Sequence, residues 1–241
     1  MLRSLFGQPE QEWDGPLRDA FAAMGDFIGL CTELTEQVPH QAEKFRIYAV
    51  KVEGLRRTLR ELEESLFAAQ FFSDRIQSGR WEELTAEEML AYDRHVYFDK
   101  NAFIRIFSLL DKLGSLMNDM FRLRTEKIKE RFSYFTVLRR LQEIVRHAEL
   151  TRRLTAVKER YEDPMDRLRK RRNMEIHYLN AELNDDLNSG YPLLSEEGET
   201  WKLEDLKGHM EDAWQGRAMV LETICHTFRY ACDHLRQSHY G

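Results

Sequence analysis

Residues 169–180 read RKRRNMEIHYLN: Arg169, Lys170, Arg171 and Arg172 run into Asn173, and His177 follows five positions after Arg172. Side chains of these types can cleave RNA without a metal. A neutral imidazole takes the proton of a ribose 2′-hydroxyl or protonates the leaving oxygen. A guanidinium holds a phosphate through two parallel hydrogen bonds and stabilises the charge that builds up in the transition state. Asn173 would orient the imidazole or the phosphate, and Arg169, Lys170 and Arg171 would draw in the RNA backbone. The plain alternative is a charged helix with a solvated histidine and an Arg172 paired with a carboxylate of a neighbouring helix.

Spacing alone does not decide between them. Arg140 to His147 and Arg229 to His234 fit the same window, and Arg171 competes with Arg172. What sets Arg172 apart is the asparagine after it and the basic cluster before it. At about 100° per residue, Arg172 and His177 point roughly 140° apart around a helix. Arg172 falls within the stripe of Met165, Leu168, Ile176, Leu179 and Leu183, whereas His177 lies outside it with Asn173 and Lys170. One helix therefore cannot bring the two groups together. Either Arg172 bends around the helix edge, or a second surface closes over it.

The elements that must position these residues are helical. With 5 prolines and 12 glycines in 241 residues, and no proline between Pro39 and Pro164, turn-rich β structure is hard to build. Apolar residues at helical spacing predict a first helix over 17–37 and a long second one from about Gln41 to Ile76. Thr85-x-x-Glu88 is a capping-box signature for a third helix, which carries Tyr92, Val96, Phe103, Ile106, Phe107, Leu110, Leu113, Met117 and Phe121. A fourth helix fits Ser133 to about Glu159, with Phe135, Leu138, Leu141, Val145 and Leu154 inward. Asp163 and Pro164 suit the N-cap and first position of a fifth, ending near Asp186. A sixth runs from about Leu203 to Leu235.

The expectation is an all-α protein: a single up-down bundle of about six helices over residues 1–241, with a loose arm at 1–16 and a loop at 187–202. Along the third helix, Asn101, Arg105, Ser108, Lys112 and Asp119 interrupt or flank the apolar stripe. They line the groove beside the fifth helix or, for most of them the favoured reading, form its solvated edge. Asn101 and Arg105, four apart, are the pair to test for a supporting role.

The formal net charge of −6 hides a segregation. Residues 122–172 carry 17 Lys and Arg against eight Asp and Glu, while 182–212 carry two basic against ten acidic residues. The basic run suits phosphate backbones; equally, the two runs can neutralise each other within the fold. No His follows a Glu at the Glu-x-x-His spacing, and neither H-E-x-x-H nor a glycine-rich phosphate loop is present, so neither a metal nor a cofactor is expected. Cys31, Cys225 and Cys232 form no C-x-x-C pair and read as core. With no signal-peptide core and no membrane-length apolar run, the expected location is cytoplasmic, with no membrane partner.

RNMEIH matches the R-N-x-x-x-H form of the Arg-x(4–6)-His signature of the HEPN superfamily, and YFDKNAFIRIFSLLDKLGSLMNDMF, residues 97–121, resembles a helix of its stand-alone bacterial Cthe-type branch. The resemblance covers most of the chain. It implies an all-α fold and, in many members, metal-independent endoribonuclease activity, with Arg172, Asn173 and His177 at the functional positions. It also implies a homodimer whose two copies complete one cleft, binding of RNA or nucleotide, and a separately encoded antitoxin-type or nucleotidyltransferase partner. A catalytically inactive nucleotide- or protein-binding module of the same fold is the second implication, and a structural adaptor the third.

Overall fold

The computed structural model describes residues 2–10, 13–177 and 202–240. Among them are eight α-helices: α1 (Leu2–Leu5), α2 (Gly15–Gln37), α3 (Ala42–Ser73), α4 (Ala86–Met120), α5 (Tyr134–Gln142), α6 (Ala148–Arg160), α7 (Glu162–His177) and α8 (Leu206–Tyr240). No strand occurs among the described residues; Arg80 and Lys202 form an isolated antiparallel bridge.

The long helices carry buried residues at alternating spacings of three and four. On α3 these are Phe45, Tyr48, Val52, Leu55, Leu59, Leu62, Leu66 and Ala69. On α4 they are Tyr92, His95, Asp99, Ala102, Ile106, Leu109, Leu113, Leu116 and Met120. Such a seam keeps one face of a helix against its neighbours, and each large apolar side chain in it stabilises by about 1.5–3 kcal/mol. His95 and Asp99 are polar members of an otherwise apolar line.

Helix starts follow from local chemistry. Asp14 accepts from the Leu17 amide at 2.7 Å and caps α2. At α4 the Thr85–Glu88 box forms: the Thr85 amide donates to Glu88 Oε2 at 2.9 Å, and the Glu88 amide donates to Thr85 Oγ1 at 3.2 Å. Glu88 also accepts from the Gln77 and Ser78 amides.

Contacts gather into two compact units. The first holds the described residues of 1–11, Glu61–Arg105 and Glu162–Gly216. In it, Phe6 stacks on Phe71 at 4.7 Å, and the Leu2 amide donates to Glu64 Oε2 at 2.6 Å. Residues 2–6 are thus anchored on α3, where a loose arm was expected. Their aromatic ring finds Phe67, Phe71 and Phe72 waiting. The second unit holds the described residues of Glu12–Arg60, Ile106–Tyr161 and Arg217–Gly241. There the Tyr134 amide donates to Asp111 Oδ1 at 2.9 Å, so α4 caps α5.

The fourth expected helix divides in two, and this together with α1 takes the count from six to eight. After Gln142 the chain leaves helical geometry at Ile144 and makes a tight turn over Val145–His147. Val145, expected inward, is 88% exposed, and His147 takes the buried place with Tyr230 Oη 2.8 Å from its Nδ1. α7 starts at Glu162, with Asp163 and Pro164 in its first turn, where amides have no intrahelical acceptor and proline costs little. The expected end of this helix near Asp186, and the loop 187–202 apart from Lys202, lie outside the described residues. Cys31, Cys225 and Cys232 are buried.

Candidate functional site

α7 buries Pro164, Met165 and Leu168 and then changes character. Where its next inward turns fall, the sequence supplies Arg171, Arg172 and Glu175, all half-buried. α4 supplies the opposite charges. Arg171 Nη2 donates to Asp99 Oδ2 at 2.5 Å, with the two side chains 16% and 2% exposed. Its guanidinium also lies 5.1 Å from the centroid of the Phe103 ring. One turn on, Lys100 Nζ meets Glu175 Oε2 at 3.1 Å, again with little exposure. A third tie links α7 to α8: Arg167 makes two bonds to Asp212, at 2.8 and 2.6 Å. Part of the basic run is therefore neutralised by the acidic run that follows it.

Two histidines sit beside the Arg171–Asp99 pair. His95 is buried, with Nδ1 2.9 Å from the Ala69 carbonyl oxygen. Burial pushes its pKa down, and Arg171 adds to this against the pull of Asp99. His209 at the start of α8 is pushed down to about 4, first by burial and then by Arg171. Both imidazoles are neutral at pH 7, so Arg171 is the cation of this cluster. Among the described residues, Asp99 Oδ1 and the Nε and Nη1 of Arg171 are buried without a hydrogen-bond partner. Charged groups in this condition are costly, and removing any remaining contact would cost more.

The structure separates the residues singled out from sequence. Arg172 and Asn173 are half-buried on α7, and His177 is exposed at its last position. Ile176, expected in the inward stripe, is 51% exposed, because the inward line bends through Arg171 and Glu175 to meet α4. Leu179 and Leu183 lie outside the described residues. Arg169 pairs with Asp166 at 2.7 Å on the surface, and Lys170 is exposed. Arg171 turns inward to Asp99, and the Nε of Arg172 beside it is buried as well. Asn101 and Arg105 do meet, with Arg105 Nη1 donating to Asn101 Oδ1 at 2.7 Å. Arg105 Nε donates to Glu61 Oε2 on α3 at 3.3 Å, so this pair belongs to the α3 side of α4. The α7 side is served by Asp99, Lys100 and Phe103.

His95, Asp99, Lys100, Glu175 and His209 were not among the residues singled out. A signal for two of them does exist. The alternating three-and-four spacing from Tyr92 through Ala102 puts positions 95 and 99 in the seam, and a polar residue there needs a partner. A cavity of about 740 Å³ in the same unit is lined in part by Ser73, Ile76, Gly79, Lys202, Asp205 and His209. His209 joins it to the cluster; none of the three motif residues lines it. No group of three or more His, Cys, Asp or Glu arranged to hold a metal ion occurs among the described residues. None of the described helices is long and apolar enough to cross a membrane.

The family model for HEPN_Cthe2314-like HEPN matches residues 52–232, and the chain belongs to that family. The match includes α4 and the whole of α7. No curated protein and no solved structure gave a match.

Proposed function

We propose that this HEPN-type protein is a metal-independent endoribonuclease whose active site is completed by a second copy of the chain. His177 serves as general base or acid at the ribose 2′-hydroxyl and the leaving oxygen. Arg172 binds the scissile phosphate and its transition state, Asn173 orients the reacting groups, and Arg169 and Lys170 attract the RNA backbone. Arg171 acts by holding the helix. A separately encoded antitoxin-type or nucleotidyltransferase partner would fit the same family.

The observation that carries this reading is the division of labour on α7. Arg171 and Glu175 are tied inward by Asp99 and Lys100, while His177 and Ile176 stand exposed and Arg172 and Asn173 are half-buried. An isoleucine half in water beside an exposed imidazole suits a face that another copy covers, and Tyr97 and Ile104 on α4 are exposed apolar residues of the same unit. In the test, purified protein in EDTA cuts single-stranded RNA and leaves 2′,3′-cyclic phosphate or 3′-phosphate ends. His177→Ala lowers the rate by about 10²–10⁴ while circular dichroism stays unchanged. No cutting across a broad RNA panel, with nucleotide binding that Arg172→Ala or His177→Ala abolishes, would instead assign a non-catalytic binding module.

A further inference from the structure

The two Arg–His spacings that α7 leaves unused, Arg140 to His147 and Arg229 to His234, end in one place in the second unit. The rings of His147 and His234 lie 5.4 Å apart. Tyr230 lies beside both, its hydroxyl 2.8 Å from His147 Nδ1 and its ring within 6° of parallel to that of His234, at 6.1 Å. Phe121 packs edge-on behind Tyr230 at 5.6 Å. These contacts hold two aromatic faces in fixed, parallel orientation on successive turns of α8. Arg140 itself turns away, donating to the Leu123 carbonyl and to Glu143.

A cavity of about 480 Å³ opens over this pair of rings. Its wall includes Arg146, Arg153, Arg229 and Arg236 against Glu149 and Asp233, so the cleft is net positive. Helical spacing assembles it. Arg229, Asp233 and Arg236 follow one face of α8, Glu149 and Arg153 are four apart on α6, and Arg146 comes from the turn before α6. Arg153 pairs with Glu149 at 2.6 Å and Arg229 with Asp19 at 3.5 Å, both in exposed positions where such pairs are weak. Arg146 and Arg236 have no carboxylate partner among the described residues. The charge of Arg146 is close enough to depress the pKa of both His147 and His234.

We propose that this cleft is a nucleotide-binding site, with a base stacked on the Tyr230–His234 face and the phosphates held by Arg146 and Arg236. Stacking on aromatic rings accepts any base, and guanidiniums match phosphate oxygens bidentately. The cavity volume lies within the range of small-molecule sites. The nucleotide can be a free nucleoside triphosphate or the 5′-phosphorylated end of an RNA. The site is independent of α7 and its histidine.

Equilibrium dialysis of the full chain tests this with ATP, GTP, inorganic phosphate, and one oligoribonucleotide bearing either a 5′-phosphate or a 5′-hydroxyl. Nucleotide binds, inorganic phosphate competes far more weakly, and the exposed double substitution Arg146→Gln with Arg236→Gln weakens binding about tenfold or more. Tyr230→Leu weakens it as well, while His177→Ala leaves it unchanged. ATP or GTP binding that the oligonucleotide fails to displace assigns the free nucleotide; binding that requires the 5′-phosphate of the oligonucleotide assigns the RNA end. The proposal is overturned if none of these ligands binds, if the double substitution leaves binding intact, if inorganic phosphate competes as well as ATP, or if His177→Ala abolishes binding.

Discussion

Replacing Asp99 by asparagine should destabilise the protein severely although volume and shape barely change. Asp99 is 2% exposed, and it is the carboxylate that meets the Arg171 guanidinium, itself 16% exposed. Two other nitrogens of that guanidinium, Nε and Nη1, are already buried with no hydrogen-bond partner among the described residues. With the carboxylate gone, a buried cation keeps its desolvation cost and loses its counter-charge, for which about 3–5 kcal/mol is expected. That is a large share of the roughly 5–15 kcal/mol by which a domain is stable. The surface pair Asp166–Arg169 gives the internal control, where Asp166→Ala should cost less than about 1 kcal/mol. The assay is urea denaturation followed by circular dichroism at neutral pH. The double replacement Asp99→Leu with Arg171→Met removes both charges together and should return the protein to within about 1 kcal/mol of wild type, or above it. An Asp99→Asn protein as stable as the Asp166→Ala control would refute the idea that this pair fixes α7 on α4.

Three further outcomes follow from the same geometry. His147 and His209 are both pushed down to about 4 from 6.5, mainly by burial, so the unfolded chain takes up protons before the folded one. Stability should therefore fall as pH drops from 6.5 towards 4, and His147→Gln with His209→Gln should flatten that slope in pH-resolved denaturation. Glu88 is held at about 2 by the amides of Thr85, Gln77 and Ser78. Its contribution is present above its ordinary value of 4.5 and vanishes as pH falls to about 2, so wild type and Glu88→Gln should differ at neutral pH and converge in acid. Gly114→Ala places a methyl carbon 2.9 Å from the Tyr134 backbone, which has no rotamer to escape through; thermal melts should show a loss of about 1–3 kcal/mol.

The helices were legible because proline and glycine are scarce and the apolar periodicity is long. The Thr85–Glu88 box and the buried cysteines were readable for similarly local reasons. The division between α5 and α6 was not, because Ile144 and Val145 continue a helical apolar pattern. What ends the helix is the burial of His147 against Tyr230, more than eighty residues away in the chain. The inward turn of Arg171 was hidden in the same way. Periodicity put Arg172 in the stripe, and Arg171 turns inward beside it because α4 offers it Asp99 and Phe103. The spacing of α4 puts Asp99 in the apolar seam, but it does not say that Arg171 is the partner Asp99 needs. The convergence of His147 and His234 depends on tertiary packing for the same reason.

The central claim is that Arg172 and His177 act across two copies of the chain, and mixing inactive subunits tests it directly. Arg172→Ala and His177→Ala proteins are purified separately, each without cleavage of single-stranded RNA in EDTA, then dissociated and reassociated together. With Arg172 contributed by one copy and His177 by the other, half of the dimers formed are mixed and each regains one intact site, so cleavage returns to about a quarter of the wild-type rate. Mixtures that stay inactive, beside a wild-type protein that cuts, would contradict the shared site.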